Sequence, residues 1–256
     1  MAQVMEAPAN LTKARTRTGV SVVIPVLNEE EAIGAVIEAL KREAVDEVIV
    51  ADGGSRDLTV EIATALGARV IRAGKGYGRA CLEGAVAAGE SCRVLVFMDG
   101  DGSDVTSELP RLVAPIADGG HDFVITSRAR GKREPGSMAW HQLAAGRIIG
   151  AIITLTTGQR YTDMCAYRAI RRDTLFALGM EELTYGWNLE MQMKAAYAGL
   201  RILELPVPYR RRIGGESKVA GSLPGTLKAG WRILVTLMRV SRNRGQRAIS
   251  TGTRAA

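Results

Sequence analysis

Cysteine and histidine are scarce in this chain. Cys81, Cys92 and Cys165 form an odd set with no C-x-x-C spacing. That excludes a disulfide framework and a zinc ribbon, and it implies a reducing compartment. Two histidines, His121 and His141, leave almost no room for a histidine-rich metal site. Aromatic residues are 5% of the chain and only three are Phe, so base stacking has little to work with. No helix-turn-helix, RRM, KH or zinc motif is present either, and nucleic acid is not an expected partner. Long apolar runs are also missing. The best, Ile148 to Gln159, falls short of the roughly 18 residues of a spanning helix and has Arg147 at its edge. Lys13, Arg15 and Arg17 precede the apolar run Val20–Leu27, but that run holds Pro25 and leads into Glu29-Glu30-Glu31. Without a small-residue cleavage pattern it reads as a buried first strand, not a signal peptide.

What is present is a globular composition: 256 residues, 46% apolar and 24% charged, with 29 Gly. That length suits a large α/β domain with a sizeable core. Residues 1–18 are polar and without periodicity, and read as a flexible leader. After them, short apolar runs alternate with helical periodicity. Strands are predicted at Val20–Val26, Glu47–Ala51, Ala68–Ile71, Arg93–Met98, Phe123–Thr126 and Arg201–Leu205. Helices are predicted at Glu30–Arg42, Leu58–Leu66 (with Ser55 or Asp57 as its cap), Gly78–Ala88, Ser107–Ala117, Ala139–Thr156, Trp187–Ala198 and Leu223–Val240. The alternation predicts a single α/β domain with a mainly parallel sheet covered on both faces. In such sheets ligands sit beyond the carboxyl ends of the strands.

Polar clusters fall at those ends. Pro25-Val-Leu-Asn28-Glu29-Glu30 follows the first strand, Asp52-Gly-Gly-Ser-Arg-Asp57 the second, and Asp99-Gly-Asp101-Gly-Ser103-Asp104 the fourth. Singly, each reads as an ordinary turn. Together they gather carboxylates that repel unless a cation or hydrogen-bond donors intervene. A hard divalent ion bridging a diphosphate answers that need.

Val22-Val-Ile-Pro25 with Asn28-Glu29, the Asp52–Thr59 segment and Asp99-Gly-Asp101 resemble family 2 glycosyltransferases of the GT-A fold. Arg212-Ile-Gly-Gly-Glu-Ser217-Lys218 resembles the R-x-x-G-E-S-K segment of the polyprenyl-phosphate mannosyl- and glucosyltransferase branch, to which the dolichyl-phosphate mannose synthases belong. The resemblance covers about Val20 to Lys218. It implies that Pro25, Asn28 and Glu29 line the nucleotide and that Asp52 meets the base. Asp99 and Asp101 match the D-x-D pair, of which the second binds Mg2+ or Mn2+ on the diphosphate and the first reaches the ribose or the metal. Ser103 stands where the branch often has Gln, as a third ligand on the metal side. Leu27 replaces an aromatic residue common in this loop. The Gln-x-x-Arg-Trp motif of processive synthases is absent. Gly74-Lys75-Gly-Tyr-Gly-Arg79 resembles a glycine-rich phosphate loop, placing Lys75 among the nucleotide contacts. The other reading of that loop is a connection that merely turns the chain.

The implied acceptor needs cations. A lipid monophosphate is already an anionic nucleophile, whereas an alcohol needs a general base, for which Asp163 and Glu190 are candidates. Arg128 matches a basic position after the fifth strand in the branch, and Arg212 with Lys218 the acceptor-side segment. Arginine suits bidentate phosphate recognition. Arg130, Lys132 and Arg133 add positive charge nearby, while Arg210 and Arg211 read as solvated surface charge. Net charge is +7, and from Arg201 onward the only acids are Glu204 and Glu216. Bases mingle with apolar residues over Leu223–Val240, the composition of an interfacial helix. A core-packing helix with a solvated tail fits the same pattern. The organisation expected is therefore a leader (1–18), a glycosyltransferase domain (19–220), a basic amphipathic helix (221–240) and a basic tail (241–256).

The resemblance implies an inverting hexosyltransferase, GDP-mannose or UDP-glucose dependent, at the cytoplasmic face of an anionic membrane. The alternatives are a transferase with a soluble or non-phosphate hydroxyl acceptor, and a non-catalytic membrane-binding module. Nothing in the sequence sets the oligomeric state.

Overall fold

The computed structural model describes residues 19–138, 140–214, 230 and 232–242. The expected leader, Ser217, Lys218 and all but the first two residues of the expected tail lie outside them. The first strand, β1 (Val20–Val26), is almost wholly apolar and buried along nearly its whole length. Its odd and even residues face different cores, as a central strand demands. Val22, Ile24 and Val26 pack with one set of helices and Val23 with the other. Pro25 is tolerated there because β4 (Val94–Phe97) reaches only as far as Val23 along β1, so Pro25 pairs with β2 alone.

The other elements are α1 (Glu30–Leu40), β2 (Glu47–Asp52), α2 (Thr59–Ala65), β3 (Arg69–Arg72), α3 (Tyr77–Ala87), α4 (Leu109–Ala117), β5 (Phe123–Ser127), α5 (Trp140–Thr157), β6 (Arg168–Arg171), α6 (Arg172–Ala177), α7 (Trp187–Tyr197) and β7 (Ile202–Pro206). A last helix, α8, occupies 232–242. It runs two residues past the boundary expected at 240, and its expected start at 221 lies outside the described residues. The seven strands are ordered β3-β2-β1-β4-β6-β5-β7. All are parallel except β6, which runs against β4 and β5. One face carries α1, α2 and α4, through residues such as Ile33, Ile37, Ala63 and Leu112. The other carries α3, α5, α7 and α8, through Cys81, Ile153, Trp187, Met191 and Val240.

The strands expected from periodicity are all present, within a few residues at their ends. β6 and α6 were not foreseen. Arg168 and Arg171 bracket Ala169-Ile170, so the segment lacks the apolar run that marked the other strands. Chain order reverses beside β1: β2 and β3 lie on one side of it and β4 on the other. That switch point opens a crevice between the loops after β1 and β4. No described helix is long and apolar enough to cross a membrane.

Candidate active site

Two loops are laced together on one side of the crevice. Asn28 has a left-handed backbone (φ 52°), which its short amide side chain tolerates. Its N–H donates to Ser55 Oγ (2.9 Å), and its Oδ1 accepts the Arg56 N–H (2.8 Å). The Glu29 N–H donates to Thr59 Oγ1, whose own hydrogen goes to Asp57 Oδ1. Asp57 also accepts the Glu30 N–H, and Glu30 in return accepts the Leu58 N–H. Asp57 thus accepts the first amide of α1 across the loops and the first amide of α2 within its own, whereas Ser55 holds Asn28. Asp52 ends β2, buried, with Oδ1 accepting the Ser55 N–H and Oδ2 the Gly54 N–H. A cleft of ≈ 350 Å³ opens beside these loops, lined by Asn28, Glu29, Arg56, Asp57 and Gly214 among others.

Across the crevice lies the loop after β4. The Asp99 N–H donates to Asp104 Oδ2 (3.0 Å). Asp101 Oδ1 accepts both the backbone N–H of Ser103 (2.9 Å) and its hydroxyl (2.5 Å). Ser103 is 2% exposed. Expected as a metal ligand, it donates to Asp101 Oδ1, while Oδ2 of that carboxylate lies 3.7 Å from Arg212 Nη2. Burial and the Asp101 carboxylate push Asp99 up to about 7. Burial, with Asp99 beside it, raises Asp104 as well. Carboxylates crowded in this way repel one another unless a cation or hydrogen-bond donors intervene. Among the described residues no three His, Cys, Asp or Glu side chains gather closely enough to hold a metal by themselves. Mg2+ and Mn2+ sites with one or two carboxylates and phosphate oxygens have that donor set, so the residues fit the ion implied.

Three arginines supply the opposing charge. The Arg128 guanidinium makes a two-pronged contact with Asp163 (2.9 and 2.8 Å) and lies 5.1 Å over the Tyr209 ring. The Arg128 and Met164 N–H groups donate to the same carboxylate. Burial raises the Asp163 pKa, but these bonds and the Arg128 charge outweigh it, and the net shift is downward. Arg212 reaches over from the segment after β7, its Nη2 3.3 Å from both oxygens of Glu29 and 3.7 Å from Asp101 Oδ2. The Ile213 N–H donates to the Asp101 carbonyl, which fixes this segment on the crevice. Arg168 is completely buried on β6 and donates to the carbonyls of Cys165, Ala166 and Asn188. Its charge acts on Asp99 from behind. Sequence reasoning passed over Arg168; an arginine inside the run Ala166–Ile170 was the available signal.

Other expected residues are placed as follows. Pro25 lies within β1, one pair before Asp52 in the register with β2. Lys75 is exposed on the turn before α3. The glycines around it serve close approach: a Cβ at Gly76 or Gly78 would strike the carbonyls of Leu183 or Glu182. The Arg79 N–H at the start of α3 already donates to Leu183. Arg130 pairs with Glu204 at 3.6 Å, and Arg211 is tied to Glu134 and the Pro135 carbonyl. Glu190 is fully buried, accepting the N–H groups of Glu181 and Glu182 and pairing with Lys194 (3.0 Å) and Arg239 (3.4 Å).

The model of glycosyl transferase family 2 matches residues 21–178. An uncharacterized glycosyltransferase of Mycobacterium tuberculosis is 36% identical over 222 residues, 84% of this chain and 97% of that protein. An undecaprenyl-phosphate mannosyltransferase of Micrococcus luteus is 33% identical over 228 residues, 79% of this chain and 88% of that protein. Among solved structures, the glucosyl-3-phosphoglycerate synthase of Mycobacterium tuberculosis, crystallised with Mn2+, uridine diphosphate and glucosyl-3-phosphoglycerate, superposes with a TM-score of 0.70. It is 21% identical, and the match covers 93% of this chain and 86% of that one.

Proposed function

The chain belongs to glycosyl transferase family 2, and on that premise we propose that it is an inverting hexosyltransferase dependent on Mg2+ or Mn2+. It moves one hexose from a nucleotide sugar to a polyprenyl phosphate at the cytoplasmic face of an anionic membrane. Residues 19–220 form the catalytic unit, with the C-terminal helix and basic tail as membrane contacts. The observation that carries the acceptor assignment is the state of the two carboxylates considered as bases. Asp163 is saturated by Arg128 and two backbone amides, and Glu190 is sealed in the interior. Neither is free to take a proton from a hydroxyl acceptor. A phosphate monoester needs no such step. The similarity to the undecaprenyl-phosphate enzyme points the same way. The fold match to a phosphoglycerate-directed enzyme, at 21% identity, carries the fold and not the acceptor.

In this reading Asp101 and Asp99 would hold the ion, and Ser103 orients the Asp101 carboxylate. When bound, the ion neutralises charge on the departing diphosphate. Pro25, Asn28, Glu29, Asp52 and Lys75 border the nucleotide. Arg212, with Lys218, steadies the acceptor phosphate, and Arg128 contributes positive potential from beside Asp99. The acceptor oxygen forms the new bond to the anomeric carbon from the face opposite the diphosphate. The bonding pair of the broken bond leaves on that diphosphate, and no proton moves.

The test is incubation with polyprenyl phosphate and a panel of radiolabelled nucleotide sugars. Label should enter an organic-extractable, mild-acid-labile product only with Mg2+ or Mn2+. Asp101→Ala should abolish it, because it removes a hard-cation ligand from a loop outside the core. Full activity in excess chelator, or label found only in water-soluble products, overturns the proposal.

A further inference from the structure

Helix α5 carries apolar residues on two sides. Its inward side is made by Ile149, Gly150 and Ile153, which pack on the core shared with α7. Gly150 is needed there, since a Cβ would strike the Tyr161 carbonyl. The outward side repeats at helical spacing: Ala145, Ile148, Ala151 and Leu155 lie along one stripe. Ile148 is 61% exposed and Leu155 87%. A surface helix ordinarily turns charge outward, yet α5 has Arg147 as its sole charged residue. From Pro135 to Thr162 the chain contains no Asp or Glu. Arg147 and, just past the helix, Arg160 are both exposed. Helix α8 packs on the same core, hence on the same side of the sheet, and it exposes Leu234 and Met238 between exposed Arg232 and Arg242.

We infer that the outward stripe of α5 docks on an anionic bilayer surface, its apolar side chains entering the headgroup–acyl boundary while Arg147 and Arg160 meet lipid phosphates. A stable protein interface buries ~800 Å² per partner, and the large apolar side chains of this stripe are two, Ile148 and Leu155. A bilayer sets no such threshold, because apolar insertion adds to attraction between basic residues and anionic lipid. Arginine flanking apolar side chains, with acids absent, is the complement of such a surface. The inference places the acceptor reading at a membrane but does not depend on it, and different residues carry it.

The experiment uses the full chain and vesicles of phosphatidylglycerol and phosphatidylethanolamine, free of polyprenyl phosphate and nucleotide sugar. In flotation, the vesicle-bound fraction of Ile148→Glu/Leu155→Glu should fall at least fivefold against wild type, with Tm unchanged because both sites are exposed. Leu155→Cys gives a second readout: Cys81, Cys92 and Cys165 are all buried, so an environment-sensitive dye labels residue 155 selectively. Its emission should shift to the blue on adding these vesicles and be quenched by spin-labelled lipid. Undiminished flotation of the double variant, or a dye that stays water-exposed on floated protein, overturns the inference. So does a wild-type dimer that the double variant dissociates, since the stripe then serves a second copy. Vesicle binding here, with no label transferred in the separate assay with polyprenyl phosphate, sinks the acceptor reading alone.

Discussion

Arg212 sits where its two proposed partners compete. Its guanidinium bridges Glu29 and Asp101, so a cation arriving at Asp101 meets a resident positive charge. A unit charge about 4 Å away near a protein surface is worth up to ~4 kcal/mol. Arg212 is 25% exposed, and solvent screening should leave about 1.4 kcal/mol, a factor of roughly ten. Arg212→Ala should therefore tighten Mn2+ binding about tenfold without nucleotide, read from free Mn2+ by electron spin resonance. The same change should cut transfer by about ten- to a hundredfold, because a charge-assisted contact with the acceptor is worth roughly 1.5–3 kcal/mol. Opposite signs in the two assays are not what a misfolded variant would give. Asp163 behaves otherwise. Its folded pKa lies below the ordinary value near 4, so its contribution to stability is present above that value and lost as pH falls through the folded one. Asp163→Asn leaves the half-buried Arg128 without its carboxylate and should cost about 2–3 kcal/mol in urea unfolding at pH 7. The gap to wild type should narrow once pH drops below about 4.

At the scale of elements, the crevice depends on close packing of α3 against the sheet. Gly84 faces β1, and a Cβ there would collide with Val23 Cγ1. Valine has little freedom at χ1 to move aside. Overpacking of this kind costs about 1–3 kcal/mol, while alanine returns up to ~1 kcal/mol of helix propensity. Gly84→Ala should lower stability by about 1–2 kcal/mol, seen as a lower urea midpoint with an unchanged m-value. The other element that shapes the site is β6. By running against its neighbours it starts at the ligand edge of the sheet, beside the ends of β4 and β5. That direction sets Asp163 and Arg168 behind the Asp99 loop.

Across the whole molecule, charge is distributed unevenly, and α8 shows what part of it does. Thr236 and Arg239 reach Glu182, and Arg239 also reaches Glu190. Gly186 lies against Thr236 so closely that a Cβ would clash. The 182–186 segment rests in turn on the start of α3. The C-terminal helix is thereby coupled through one loop to the edge of the crevice. Arg239→Ala leaves Glu182 without its cation and should cost about 2 kcal/mol, a Tm drop of roughly 4–8 °C for a chain of this size. An unchanged melting curve would mean that these contacts are solvent-screened surface pairs.

The α/β alternation, the parallel strands and the acidic clusters at their ends were all legible in the sequence, because strand and helix periods and turn residues are local properties. Asp99 and Asp101 were singled out by their resemblance to the D-x-D pair of the family. Fates set by distant partners were not legible. Asp163 and Glu190 had the chemistry of bases, and only the fold showed one locked to Arg128 and the other closed off by Lys194 and Arg239. Arg211 and Arg212 are adjacent and identical in type, yet the guanidinium of one is held by the Pro135 carbonyl and that of the other bridges Glu29 and Asp101. Ser103 had the position of a ligand but points at Asp101. The apolar run in α5 was visible as composition, while its division into a buried and an exposed side appears only once α5 is packed beside α7. Composition and period act along the chain; burial, pairing and field arise between residues far apart in it, and those decide what each group can do.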